Sequence, residues 1–206
     1  MRGHATAEEQ ARVRELESRL DPKTSPLSSL LELALLYRCP CHEEDRSIRL
    51  LEGILDRDGD FSAARIWLGY LHLHYSLDPA SIKKARQLLE SVPDGDRIHR
   101  AASLQLLAAV GEDLNDLSTS EIIRLLEASV ELAPHWVNNR DLLAAYLART
   151  GDTAAAEAQL RAALDNVIAA DPAWSPAERE FEISITGRTA DRVAERLTSH
   201  LTQLEV

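Results

Sequence analysis

The sequence predicts an all-α protein in which about eleven helices pair antiparallel and stack as an α-solenoid. Two observations carry this. Apolar residues recur at helical spacing along nearly the whole chain, and the breaks between periodic runs are short, each marked by a helix-ending glycine, a proline or a capping residue. The composition agrees: only 4% of residues are aromatic, and Gly and Pro number 8 each, too few for the many turns of an all-β chain.

A first helix is expected over 7–20, opened by Thr6 with Glu9 three residues on, the reciprocal capping-box pattern. Its stripe of Val13, Leu16 and Leu20 is narrow, which suits a helix covering the open end of an array. Ser25 and Pro26 open the second, with Leu30, Leu33, Ala34 and Tyr37 inward. Its partner over 43–57 turns Ile48, Leu51, Ile54 and Leu55 inward, and Gly53, costing about 1 kcal/mol against alanine in a helix, implies close helix approach. Asp60 is the expected cap of the fourth helix, which carries Leu68 and Gly69. Asp78 and Pro79 open the fifth, with Ile82, Ala85, Leu88, Leu89 and Val92 inward.

A sixth helix is read over 97–110, followed by a segment, GEDLNDLST, with room for a short extra turn. Ser118 and Glu121 form a second capping box for the seventh. In the stretch 129–172, Leu142, Leu143, Tyr146 and Leu147 precede Gly151 and Asp152, and Ala156, Leu160, Ala163, Leu164 and Val167 follow at helical spacing. A glycine that tolerates positive φ, followed by a capping carboxylate, makes a turn so short that the two helices run antiparallel. Ser175, Pro176 and Glu178 open a helix through Ile185 that stops at Gly187, and Thr189 opens the last, with Val193, Leu197, Leu201 and Leu204 inward. The alternation in FEISI is also strand-like, but no second strand offers itself as a partner, which favours helix.

From Ser129 to Ala163 the chain completes one helix-turn-helix period and resembles the tetratricopeptide repeat, whose period is about 34 residues. Leu143, Ala144, Ala156, Leu160 and Ala163 match that family's leucine, small and large positions. Leu30, Leu33, Ala34 and Tyr37 match an earlier copy, as do Leu68 and Gly69. The match departs at Arg140, where the family has an aromatic, and at Leu147, its tyrosine position. The resemblance implies a right-handed α-solenoid. It is read as a single repeat domain over 1–206, with a capping helix in 1–24, degenerate helix pairs in 25–172 and a closing pair in 173–206.

Several function classes are disfavoured. A net charge of −11 opposes phosphate backbones and anionic lipid, so nucleic acid is not an expected partner. No run of eighteen apolar residues exists to span a membrane, and the N-terminal MRGHATAEEQ lacks a signal-like apolar segment. The expected location is cytoplasmic. Cys39 and Cys41 lie too close together for an ordinary disulfide framework. With His42 they offer three soft ligands in four residues, tighter than structural zinc spacing, so a helix-to-helix turn is the favoured reading and a metal centre the alternative. His72 and His74 point to different faces of one helix and cannot chelate together, and His72 takes the packed tyrosine position of the resemblance. Asp56, Asp58 and Asp60 around Gly59 miss the calcium-loop pattern, because Trp67 stands where its glutamate belongs. Glu178 and Glu182 read as a solvated face. Phosphate-loop, dinucleotide and hydrolase signatures are absent, and no cofactor is expected.

The expected function is therefore a non-enzymatic scaffold or adaptor for a protein or peptide. The resemblance places the ligand face on the exposed side of each first helix, giving Arg38, Ile66, Trp67, Tyr70, His74, Asn138, Asp141 and Arg149. Trp67 and Tyr70 either anchor a partner or fill the core of a degenerate repeat. An alternative is an inhibitor, immunity protein or chaperone for one basic partner, using acidic surface. Self-association through apolar end faces is a further expectation.

Overall fold

The computed structural model describes residues 6–38, 41–75, 78–168 and 190–204. Those residues form ten α-helices and no strand. The expected helix over 175–185 falls outside them, as do Ser175, Pro176, Glu178, Glu182, Gly187, Thr189 and Cys39. The chain divides into two compact units, residues 1–93 and 94–206.

The first unit holds α1 (Ala7–Arg19), α2 (Leu27–Arg38), α3 (Glu44–Arg57), α4 (Ser62–His74) and α5 (Pro79–Glu90). The Thr6/Glu9 capping box is formed in both directions, each side chain taking the other residue's backbone N–H. Helix α1 lays Val13 and Leu16 on Leu33 and Tyr37 of α2. Helices α2 and α3 pair, as do α4 and α5, and α3 packs on α4. Between α2 and α3 the buried Ser47 hydroxyl donates to the Ala34 carbonyl at 2.7 Å, so the hydroxyl inside the pair is satisfied by backbone. Leu30, Leu33, Ala34 and Tyr37 are all buried.

Helices α4 and α5 lie close at Gly69, where a Cβ would lie 3.0 Å from Leu89 Cγ. Helix α5 starts as expected, with Asp78 accepting from Ala80 and Ser81 N–H, both at 3.0 Å. Two expectations fail here. Phe61 rather than Asp60 occupies the N-cap of α4, while the Asp60 carboxylate is drawn off by Arg65 at 2.7 Å. And a Cβ at Gly53 would meet nothing within 4 Å among the described residues, so close approach is not why that glycine is there.

The second unit holds α6 (Arg97–Leu114), α7 (Thr119–Leu132), α8 (Val137–Arg149), α9 (Thr153–Ile168) and α10 (Ala190–Leu204). Helix α6 runs one turn past the expected end at 110. Asn115 closes it in the left-handed region at φ 51°, and Asp116 N–H bonds the Gly111 carbonyl at 3.2 Å, so GEDLNDLST is mostly helix and cap. The Ser118/Glu121 box opens α7 as read. Between α8 and α9 the chain makes a full Schellman turn. Gly151 sits at φ 86°, its N–H bonds the Ala148 carbonyl at 3.0 Å, and Asp152 N–H bonds the Leu147 carbonyl at 3.0 Å. The Asp152 carboxylate then caps Ala155 N–H at 3.1 Å.

That turn sets α8 against α9 with Ala144, Ala156, Leu160 and Ala163 in one core, and α10 closes it with Val193 and Leu197. The small residues permit the approach and the leucines fill what remains. A buried polar relay ties three helices. Asn139 of α8 donates to Ser129 Oγ of α7 at 3.4 Å and to the Ala133 carbonyl at 3.2 Å, and Ser129 donates to the Ala101 carbonyl of α6 at 2.8 Å. The same serine-to-alanine bond therefore occurs once in each unit.

Candidate functional site

In the first unit the anticipated residues form a stack on α2 and α4. Trp67, Tyr70 and His74 follow one another at i, i+3 and i+7, so they share a face of α4. The Arg38 guanidinium at the end of α2 lies 4.6 Å from the Trp67 ring centre and 5.2 Å from that of Tyr70, within cation–π range of both. Tyr70 meets Trp67 edge-on at 5.7 Å and tilts against His74 at 4.5 Å. Exposure is graded along the stack: Ile66 is fully buried and Trp67 is 3% exposed, Tyr70 is half-buried, and His74 is exposed. Burial separates the rings that reach solvent from those that do not. Ile66 and Trp67 are floor, Arg38 is the packed cation above it, and Tyr70 and His74 are the surface. Tyr75, next in the chain, is an exposed large side chain as well.

In the second unit the three anticipated residues, all on α8, have different fates. Asn138 is half-buried and Arg149 exposed, whereas Asp141 is 8% exposed. Two side chains of α10 take up its carboxylate, Arg196 at 3.0 Å and His200 at 2.8 Å. Arg149 lies over the Tyr146 ring at 4.7 Å and bonds Glu112 of α6 at 2.7 Å. Glu112 also accepts from the Tyr146 hydroxyl, and this bond, with that from Arg149, holds its carboxyl below the usual range. Burial first, then the neighbouring carboxylate, pushes the Tyr146 phenol up to about 12.

The first unit has a counterpart. The Tyr37 hydroxyl donates to Glu17 of α1 at 2.9 Å, and Arg46 of α3 lies 4.1 Å over the ring. Tyr37 is likewise pushed up to about 12, by burial before Glu17.

Sequence reasoning missed the partners in these clusters: Glu17, Arg46, Glu112, Arg196 and His200. Arg196 and His200 had a readable signal, being one helical turn apart on one face of an amphipathic helix. Their target lies 59 residues away from His200, and nothing local names it.

Around the candidate metal cluster, Cys39 lies outside the described residues. Cys41 packs with Val13, Leu16, Leu33 and Tyr37, and burial pushes its thiol up, away from the thiolate a metal needs. His42 sits at φ 57°, with Nδ1 3.8 Å from Glu44. Among the described residues no three His, Cys, Asp or Glu side chains are grouped to hold a metal. No helix among them is long and apolar enough to cross a membrane.

Compared with family models and with curated protein sequences, the chain matches none. Solved structures do match. MamA 41-end from Desulfovibrio magneticus RS-1 superposes with a TM-score of 0.57 at 16% identity, covering 80% of this chain and 89% of that one. MamA AMB-1 gives 0.56 at 19% identity, with 77% and 89% covered. MamA MSR-1 gives 0.55 at 18%, with 80% and 90% covered. MamA is a tetratricopeptide-like helical repeat protein. The chain has the tetratricopeptide-like α-solenoid fold. At this identity the likeness is one of fold, and it agrees with the buried positions of Leu143, Ala144, Ala156, Leu160 and Ala163.

Proposed function

We propose that this protein is a non-enzymatic interaction scaffold that holds a protein or peptide segment against the first helices of its pairs. The observation that carries the reading is the graded stack on α4, a buried Ile66 and Trp67 floor beneath Arg38, with Tyr70 and His74 at the surface. An aromatic ring already held by neighbouring rings loses little freedom on binding, which is how interface hot spots gain their weight. Asn138, Asp141 and Arg149 are the corresponding residues proposed for the second unit. Asp141 acts there by holding α10 beside α8. The fold of the neighbours supports the scaffold class, and the acidic balance of −11 favours a partner that is not itself strongly acidic.

The test is selection of a random peptide library on the full chain, followed by titration of selected peptides against Tyr70→Ala and His74→Ala. Both positions are solvent-facing enough to be truncated without emptying the core. Loss of about tenfold in affinity at either position, with helical content unchanged, is expected of a hot-spot contact. Selected peptides that bind both variants as well as the parent refute the assignment of this face.

A further inference from the structure

His72 lies on α4 on a different face from the Trp67, Tyr70 and His74 stack and takes no part in it. It is 7% exposed, and neither Nδ1 nor Nε2 has a hydrogen-bond partner among the described residues. A buried imidazole normally satisfies at least one nitrogen, because an unmatched polar atom loses its water for nothing. Helix α4 packs on α3 and on α5, and the charged groups whose fields reach the ring are Glu52 of α3, Lys84 of α5 and Asp78 at the cap of α5. From α2, Arg38 is taken up on the Trp67 and Tyr70 rings.

Both carboxylates are already engaged. Glu52 is bound by Lys84 at 2.8 Å, and Asp78 accepts from Ala80 and Ser81 N–H. A proton on His72 would therefore create a buried cation beside the Lys84 ammonium, with neither carboxylate hydrogen-bonded to the ring.

We propose that His72 makes the first unit acid-sensitive: protonation of this partnerless ring opens the packing of α3, α4 and α5. The folded surroundings act in the same direction, since burial, then Lys84, hold the imidazole below its ordinary range. The opened unit takes up the proton that the folded unit refuses, so stability is complete above the ordinary value of 6.5 and drains away as pH falls below it. The inference concerns the stability of the first unit and does not rest on the binding role of the α4 stack.

The size follows from linkage. An imidazole of pKa about 6.5 that is protonated only in the opened unit weights opening about elevenfold at pH 5.5 and about 1.1-fold at pH 7.5. The ceiling is thus about a tenfold rise in the opening equilibrium between those two conditions.

Native-state hydrogen exchange of the full chain at both pH values, corrected for the intrinsic pH dependence of exchange, reads that equilibrium helix by helix. Amides of α4 should open several-fold more often at pH 5.5, up to that ceiling. His72→Gln, which keeps a polar group of similar reach but does not titrate, should remove the increment. His72→Phe is the second variant, and urea unfolding at the two pH values gives the same comparison should either variant be too unstable for exchange. No increment in the parent, or an equal increment in parent and variant, overturns the proposal.

Discussion

Replacing Gly53 by alanine should stabilise the protein, and replacing Gly111 by alanine should destabilise it, although both glycines sit inside helices. In each case alanine removes the backbone freedom that glycine loses on folding, a gain of about 1 kcal/mol in a helix interior. What the new methyl meets decides the sign. At Gly53 it meets no atom within 4 Å among the described residues, so the gain stands. At Gly111 a Cβ would fall 2.2 Å from Leu117 Cδ1, 2.6 Å from its Cγ and 2.9 Å from its Cβ. Three carbons of one residue cannot all be avoided by a rotamer change, so the α6–α7 connection must shift, at a cost of about 1–3 kcal/mol for an overpacked site. The net is a stabilisation of about 1 kcal/mol at Gly53 and a loss of up to about 2 kcal/mol at Gly111. Urea unfolding followed by far-ultraviolet circular dichroism measures both. Combining Gly111→Ala with Leu117→Ala should recover part of the loss, because the second change empties the space the methyl enters. A destabilised Gly53→Ala, or a Gly111→Ala at least as stable as the parent, would show that the space around each glycine does not set the sign.

Two further outcomes follow from the clusters in the second unit. Glu112→Gln removes the carboxylate beside the Tyr146 phenol, so one of the two tyrosines with values near 12 should titrate at lower pH in the alkaline absorbance titration while Tyr37 stays. A raised phenol contributes stability that is intact below 10 and is lost as pH climbs towards 12, so the variant should also lose less stability across that window. An unchanged titration would show that Glu112 does not act on the ring. Asp141→Ala leaves Arg196 of α10 without its ion-pair partner and His200 without its hydrogen-bond partner. Removing one partner of a mostly buried charged hydrogen bond costs about 1–3 kcal/mol. Limited proteolysis should then cut within α10 before α8 or α9, and an unaltered cleavage order would count against the contact.

Much of the fold was legible in local sequence, and particular residues show why. Thr6 with Glu9, Ser118 with Glu121, and Asp78 with Pro79 act over three residues or fewer, within reach of their own backbone. Gly151 was legible because only an αL residue closes a helix in so short a turn. Asp60 was misread because a capping side chain can be drawn off by a cation five residues on, here Arg65. Gly53 was misread because a glycine in a helix announces freedom or crowding equally, and only the neighbouring helix tells which. The candidate face was partly legible. The spacing of Trp67, Tyr70 and His74 puts them on one stripe, but which ring faces water depends on how deeply α4 is packed, and burial is not a local property.

Local sequence is enough to say that the chain is helical, where most helices start and stop, and that small residues at Ala144, Ala156 and Ala163 let two of them approach. These follow from hydrogen bonds and periodicities that span only a turn or two. Tertiary structure alone decided that Arg38 lies over two rings of α4, that Asp141 is held by α10, and that His72 has company from Lys84 and no partner of its own among the described residues. Each joins groups on different helices. Their meeting depends on the depth and rotation of the packing, quantities that no short window of sequence contains.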